Sequence, residues 1–415
     1  MGAYVKNVID NLRSVLGELV EIREGLIRLI IPNLAKYTQG KRLEPRWAPV
    51  FYNPLTTTSR DLDTLVVEAY RNIYNPKARL CDLLSATGVR GLRYLVESRV
   101  ERVTLNDVDE RAYKLMKANA LLNEVEDRVA IYNLDANLLL NILVRKRQRF
   151  DIIDIDPFGT PVPFIDSALR TVKDGGMLSV TATDLAPLLG VKSSACLRKY
   201  QALSMNTSFS REIAVRILMG YVCRQAAKYE LAIIPAFSYS LSHVIRIHIL
   251  VKRGATRANE SLKRMGYVRY CRNCGYRDLV EEYPIVSSKA CPRCPHETSI
   301  AGPLWVGSLW DSEFVDEVRQ VYRERVYLHN KCLSNLLRTI YRESRAPPLY
   351  YSTKELSRIL GVREVSPKEL VKRLRNRGLF ACRTHFDTKG FKTNAALDTI
   401  NDLVLSIVEG DRRAA

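Results

Sequence analysis

Asp151-Ile152-Ile153-Asp154-Ile155-Asp156-Pro157-Phe158-Gly159 begins as a short, β-branched apolar run and ends in residues that cannot extend it. Pro157 has no N–H for a strand ladder, and Gly159 permits a sharp exit. The stretch therefore predicts a buried strand with Asp156 at its carboxyl edge, where open α/β folds place their ligands. A carboxylate, the Pro157 carbonyl and the Phe158 ring would meet there. Two acceptors and an aromatic face suit a flat heterocycle that carries an exocyclic amine. Taken alone, the same four residues fit a plain β-turn capped by Asp156 equally well. The rest of the chain decides between these readings.

Outward from that strand the pattern alternates. Strands are expected at 80–84, 102–105, 129–133 and 177–182, with helices ending near 97 and spanning about 109–122, 137–147 and 161–172. This alternation implies an α/β fold with a doubly wound, mostly parallel sheet, completed by strands at 231–237 and 243–251 after a helix at 210–227. Upstream lie an amphipathic N-terminal helix, a hairpin turning at Glu24-Gly25, a basic aromatic loop, and a helix from about 60 to 74 with Ser59 as its N-cap. Downstream, 265–300 breaks the rhythm with paired cysteines and 311–345 reads as helical. Helices at 353–360 and 366–377 followed by a short basic hairpin resemble a winged helix.

Lys plus Arg number 64 against 45 Asp plus Glu, a net charge of +19 over 415 residues. That surplus favours a polyanion, nucleic acid first and an acidic membrane surface second. No run approaches the ~20 apolar residues needed to span a bilayer, and the N-terminus lacks a secretory h-region. A cytoplasmic protein is expected, with no membrane partner and no obligate protein partner evident.

The ends of the expected strands carry the chemistry. Asp82-x-x-Ser85-Ala86-Thr87-Gly88-x-Arg90-Gly91 is a small-residue loop opening a helix, which lets backbone N–H groups approach a ligand. Asn106-Asp107 ends the next strand, with a carboxylate placed to accept from both ribose hydroxyls. Asp135-Ala136 ends the third: Asp135 can accept from an adenine amine while the Ala136 N–H meets a ring nitrogen. Singly, Asp107 and Asp135 also fit plain helix caps. At successive strand ends they describe an adenosyl pocket. No Gly-x-x-x-x-Gly-Lys-Ser/Thr loop is present, so ATP is disfavoured and S-adenosylmethionine, which has no phosphates, suits the pocket.

Phe51-Tyr52-Asn53-Pro54, Arg60-Asp61, Ser85 to Gly91, Asn106-Asp107, Asp135-Ala136, Asp156 to Gly159 and Thr181-Ala182-Thr183-Asp184 occur in that order. They are joined by Cys196-Leu197-Arg198-Lys199-Tyr200, Ala227-Lys228-Tyr229, and Arg383-Thr384-His385-Phe386 with Lys392-Thr393. Over nearly its whole length the sequence resembles the archaeal and eukaryotic tRNA (guanine-26-N2) dimethyltransferase family. The resemblance implies a Rossmann-like class I methyltransferase domain. It also implies that Arg60, Arg90, Asp107, Asp135 and Ala136 contact S-adenosylmethionine and that tRNA is the partner. Asp156, Pro157 and Phe158 are the expected catalytic residues. Expected segments are an extension at 1–50, the methyltransferase domain at 51–254, a cysteine-bearing region at 255–310 and a tRNA-binding region at 311–415. A methyltransferase acting on another tRNA guanine, a DNA amino-methyltransferase and a non-catalytic nucleic-acid binder remain alternatives.

Cys271-x-x-Cys274, sixteen intervening residues and Cys291-x-x-Cys294 have zinc-ribbon spacing, pointing to a structural Zn2+; two disulfides are the alternative. The other five cysteines read as buried small hydrophobes. The tail holds Lys368, Lys372, Arg373, Arg375, Arg377, Arg383, His385, Lys389 and Lys392 interleaved with phenylalanines. Arg383, His385 and Lys392 are the expected RNA contacts there.

Overall fold

The computed structural model describes residues 2–40, 42–281 and 290–414. The chain forms two compact units. The first comprises residues 1–157, 163–180 and 317–333; the second comprises 158–162, 181–316 and 334–415.

The first unit opens with helix α1 (Gly2–Leu16) and the hairpin β1 (Leu19–Glu24) and β2 (Ile27–Pro32). After α2 (Thr57–Ile73) the expected alternation follows: β3 (Arg79–Asp82), α3 (Val89–Val96), β4 (Arg102–Asn106), α4 (Glu110–Leu122), β5 (Val129–Tyr132), α5 (Ala136–Arg145), β6 (Phe150–Ile155), α6 (Val162–Thr171) and β7 (Val172–Ala182). Within this unit the strands are parallel in the order β7-β6-β3-β4-β5. The chain builds outward from β3 to β5, then returns to lay β6 on the other side of β3. The order therefore reverses between β3 and β6, and a crevice is expected above their carboxyl ends. β6 is buried along its whole length, as its β-branched run requires.

One correction arises here. Helix α2 starts at Thr57 with Thr56 as N-cap, and Ser59 is a buried residue of its first turn. The segment from Ser59 to Tyr70 is buried all round although it contains Arg60, Asp61, Asp63 and Glu68. Those charges are paired inside rather than arrayed on a solvated face.

The pairing centres on Glu24, at the end of β1. Arg60 Nε and Nη2 each donate to it at 2.6 Å, and Arg93 Nη1 donates at 2.9 Å. Arg93, itself fully buried, also pairs with Asp61 at 2.7 Å and with Glu97 at 2.7 Å. The N-terminal hairpin is thus bolted to α2 and α3. On its other side, Asn119 on α4 and Asn123, its C-cap, sit one turn apart and stand in for a missing strand. Their amide oxygens accept the N–H of Ile30 at 2.7 Å and of Arg28 at 2.9 Å, which satisfies the edge of β2.

The second unit contains the antiparallel hairpin β8 (Leu231–Leu241) and β9 (Val244–Arg253) and the helix Ser210–Ala227. That helix meets the strand Ser299–Trp305 at Gly220, where a Cβ would lie 2.9 Å from the Leu304 Cα. Ser299–Trp305, Met265–Tyr270 and Arg277–Val280 form a three-stranded antiparallel sheet around the cysteine pairs. Further on, helices Thr353–Leu360 and Pro367–Asn376 precede the strands Ala381–Arg383 and Gly390–Thr393, matching the expected helix-helix-hairpin order. The long helix Leu397–Ala414, which the sequence reading did not anticipate, closes over Leu370, Leu374 and Phe391. Among the described residues no helix is long and apolar enough to cross a membrane.

Burial alone would raise the Glu24 carboxyl, but the Arg60 and Arg93 guanidiniums outweigh it and hold it at about 2 against its usual 4.5. A folded-state value below the unfolded one adds stability that is complete above about pH 4.5 and is lost as the pH falls toward 2. Thermal melts of the parent should lose stability steeply across that window. Glu24→Ala should be less stable by roughly 3–5 kcal/mol at neutral pH, since it leaves the buried Arg60 guanidinium without its carboxylate and takes one of three from Arg93. Its acid limb should be shallower than the parent's.

Candidate active site

Parallel register places Asp82 beside Asp154, Asp82 beside Leu105, and Asn106 beside Tyr132. The loops carrying Ser85 to Gly91, Asp107, Asp135 and Asp156 therefore all leave the same edge of the first unit's sheet. Asn106, fully buried, ties three of these exits together. Its amide nitrogen donates to Leu83 O at 3.2 Å and Leu134 O at 3.0 Å, and its oxygen accepts from Leu134 N at 3.2 Å. Ser85 Oγ in turn accepts from the Asn106 N–H at 3.1 Å.

Asp107 is held from both sides. Ala86 N–H donates to Oδ2 at 2.9 Å and Asp109 N–H to Oδ1 at 3.0 Å. Ala86 adopts a left-handed φ of 48°, a conformation costly for alanine, and in it aims its N–H at this carboxylate. Burial pushes the Asp107 carboxyl upward against the pull of those N–H groups. Asp135 is the N-cap of α5, with Oδ1 accepting from Leu138 N at 2.9 Å, and Ala136 opens that helix with 4% exposure.

Arg90 lies in the first turn of α3 and bridges two carboxylates. Its Nε donates to Asp156 Oδ2 at 2.6 Å, and its Nη1 is paired with the fully buried Asp63. Burial works against the guanidinium charge, and Asp156 and Asp63 overcome it, so Arg90 stays ionised. The Asp156 side chain keeps 25% exposure while its orientation is set by Arg90. Below it, Asp154 Oδ2 accepts the Tyr94 hydroxyl at 2.6 Å, and Asp82 Oδ2 accepts the Gly91 N–H at 3.0 Å. Burial first, and then the Asp154 charge, drives the Asp82 carboxyl upward. The sheet end is acidic, with Arg90 set into it as a counter-charge.

Arg60, expected to contact S-adenosylmethionine, is 4% exposed and held by Glu24, with Nη1 also on Asn53 O at 3.1 Å. Its guanidinium serves the hairpin anchor. Asp63 and Asn119 do not stand out in the sequence. A carboxylate on the apolar face of α2 was the available signal for Asp63.

In the second unit, Phe158 is 66% exposed and Gly159 has a φ of +87°. Gly159 N–H donates to Thr183 Oγ1 at 2.8 Å, and its carbonyl accepts from Thr183 N at 2.9 Å. The same unit brings Cys271, Cys274, Cys291 and Cys294 together, with all four sulfurs within 4.8 Å of one another. Cys271 and Cys294 are 3.5 Å apart and Cys274 and Cys291 are 3.7 Å apart. Bonded sulfurs would be ~2 Å apart. Thiolates around one zinc at ~2.3 Å are separated by about 3.8 Å. The four thiols therefore fit a tetrahedral metal and do not form disulfides here. Both turns are built for it, with Gly275 N–H on Cys271 O at 3.0 Å and Cys291 N–H on His296 O at 2.9 Å. Of the other cysteines, Cys332 is exposed, contrary to expectation, because it lies on the outer side of a surface helix; Cys81, Cys196, Cys223 and Cys382 are buried.

The expected RNA contacts need correction. Lys392 is 1% exposed, with its ammonium 3.0 Å from Glu212 and 3.4 Å from Glu343. The His385 side chain is 1% exposed; Nδ1 lies 2.6 Å from Glu343, while Nε2 accepts the Ser240 N–H at 3.2 Å. Arg383 is partly buried, its Nε on Gly390 O at 3.2 Å. These residues link the hairpin to the helices ending at Glu343 and beginning at Ser210. Among the tail cations, Lys368, Lys372, Arg375, Arg377 and Lys389 are exposed, and Arg373 is partly so.

Comparison with known proteins agrees with this geometry. Residues 34–405 match the family model described as N2,N2-dimethylguanosine tRNA methyltransferase. A tRNA (guanine(26)-N(2))-dimethyltransferase of Saccharolobus solfataricus is 37% identical over 94% of this chain and 100% of its own length. A tRNA (guanine(26)-N(2)/guanine(27)-N(2))-dimethyltransferase of Aquifex aeolicus is 35% identical over 91% and 94%. The structure of Trm1 from Pyrococcus horikoshii in complex with S-adenosyl-L-methionine superposes with a TM-score of 0.79, at 34% identity over 93% of this chain and 99% of that one. With nearly every residue of the chain accounted for by these matches, it belongs to the N2,N2-dimethylguanosine tRNA methyltransferase family.

Proposed function

We propose that this protein transfers two methyl groups from S-adenosylmethionine to the exocyclic N2 of guanine 26 in tRNA. The observation that supports this most is Asp156: a partly exposed carboxylate at the strand-order reversal, oriented by Arg90 and followed by a proline carbonyl. The relatives' activities and the ligand of the Pyrococcus horikoshii structure point the same way.

S-adenosylmethionine supplies an electrophilic methyl on a sulfonium, and the acidic sheet end suits that cation. Asp107, already aligned by two backbone N–H groups, has lone pairs enough to accept ribose hydroxyls as well. Asp135 and the N-terminus of α5 take the adenine edge. The guanine N2 lone pair is delocalised into the ring, so the amine is a poor nucleophile. Asp156 and the Pro157 carbonyl accept its two hydrogens, favour a pyramidal nitrogen and aim the lone pair along the line of attack. In each cycle an N–C bond forms as the S–C bond breaks, S-adenosylhomocysteine departs, and the amine proton passes to Asp156 or to water. A base inside a stem reaches such a site only by flipping, at a cost of a few kcal/mol. The exposed cations of the helix Pro367–Asn376 and its C-cap are the proposed phosphate contacts. The four cysteines would hold a structural zinc, their four sulfurs supplying a complete set of ligands.

Unmodified tRNA transcript incubated with labelled cofactor should yield N2,N2-dimethylguanosine, mapped by nucleoside mass spectrometry to position 26. In single-turnover assays Asp156→Ala should abolish both transfers and Asp156→Asn should impair both, because one amide face is a donor; full activity of Asp156→Ala rules out the assignment. Elemental analysis of natively purified protein should return one zinc per chain. Replacing Lys368, Lys372 and Arg377 together by alanine should weaken tRNA binding and flatten its salt dependence by about 0.7–0.9 log units per lost phosphate contact, with cofactor affinity unchanged. Lys392→Ala should instead lower the melting temperature, since it removes the buried cation shared by Glu212 and Glu343 and leaves them only Arg216 and His385.

A further inference from the structure

Tyr200 is fully buried, yet its hydroxyl sits in a polar chain that ends on the turn following Asp156 and Pro157. The hydroxyl donates to Asp184 Oδ1 at 2.6 Å and accepts from Thr160 Oγ1 at 2.9 Å. Asp184 is pinned at its other oxygen by Lys199, 3.0 Å away, and its N–H joins that of Thr183 on the Gly159 carbonyl at 3.3 and 2.9 Å. The Tyr200 ring is fixed by an edge-to-face contact with Tyr221, with centroids 5.9 Å apart. Gly159 and Thr160 are thereby tied to Thr183, Asp184 and Tyr200 at consecutive points, and Phe158, which precedes them, stands out to 66% exposure. Burial and the neighbouring Asp184 charge raise the phenol far above its ordinary range, so it keeps its proton and remains a donor.

Resting on the dimethylation reading, we propose that Tyr200 is a positioning residue for the second methyl transfer, holding the Phe158-Gly159-Thr160 turn through Thr160 and Asp184. The reason lies in the amine. In the first cycle two N–H groups fix the nitrogen against two acceptors. After one methyl is added a single N–H remains, and one acceptor loses its partner. The orientation of the monomethylated amine then depends on one hydrogen bond and on the rigidity of the turn beside it. Loosening that turn costs the second cycle more than the first.

Tyr200→Phe keeps the ring and removes the hydroxyl. Rapid-quench assays with tRNA transcript should show the second transfer slowed about tenfold and the first by no more than about threefold, so that N2-monomethylguanosine accumulates, with cofactor affinity at the parent value. Thr160→Val, which loosens the turn from its own side and leaves the Tyr200–Asp184 bond in place, should shift the product ratio in the same direction. This second variant settles the matter if Tyr200→Phe melts at a much lower temperature than the parent. A parental ratio of mono- to dimethylguanosine in Thr160→Val, or equal slowing of both transfers in a well-folded Tyr200→Phe, overturns the proposal. A parent enzyme that forms no methylguanosine at all overturns the functional reading instead, so the two failures are told apart.

Discussion

A guanidinium caught between two carboxylates sets the geometry of this sheet end. Arg90 reaches from the first turn of α3 to Asp63 on α2 and to Asp156 beyond β6. Three separate elements meet at its planar fork, and the fork geometry leaves Asp156 little freedom to rotate. The interaction lies in a place where charge is expensive to bury, so its three members stand or fall together: removal of any one leaves another charge uncompensated. Arg90 itself stands there because Gly88, at a φ of +80°, turns the loop after β3 into the helix. Gly91 then lets α3 approach the Leu105 side chain of β4, where a Cβ would lie 2.2 Å away. A small-residue loop, chosen by backbone sterics, thus delivers the cation that orients the acid.

Charge is divided by location. The chain as a whole carries +19, which favours a polyanion at long range and is screened over ~8 Å at physiological salt. The sheet end gathers Asp63, Asp82, Asp154 and Asp156 around Arg90, with Asp107 at a neighbouring strand exit; on the proposed reading this acidic setting suits a sulfonium better than a phosphate. The same protein can thus attract nucleic acid over its exterior and retain a cationic methyl donor in its interior. Buried ionic groups recur in the second unit, where Arg216 pairs with Glu212 at 2.8 Å and Lys392 joins Glu212 and Glu343. There the charges fasten helices to the C-terminal hairpin.

Much of this was legible in the sequence. The strand-helix alternation from 79 to 182, the placement of Asp107, Asp135 and Asp156 after strands, and the cysteine spacing all follow from local rules that tertiary contacts did not override. What escaped was the partner of each charge. Arg60 and Arg90 look equivalent as residues in first turns, but one meets Glu24 and the other meets Asp156, and only the long-range packing of a hairpin distinguishes them. Lys392 and His385 sit in a basic, aromatic tail that reads as an RNA surface. The strand carrying Lys392 and the turn carrying His385 both face inward to Glu343, about forty to fifty residues earlier in the chain, which composition cannot reveal. Ser59 reads as a cap because serine favours that position, and the helix begins three residues sooner, at Thr57.

The central claim is that Asp156, oriented by Arg90, grips the target amine. The most direct test is a structure of the enzyme bound to S-adenosylhomocysteine and tRNA. The account predicts the flipped guanine N2 within about 3.2 Å of an Asp156 carboxylate oxygen and of the Pro157 carbonyl, with the Arg90 pair intact. An Asp156 carboxylate turned away from the base, with N2 held by other groups, would contradict it.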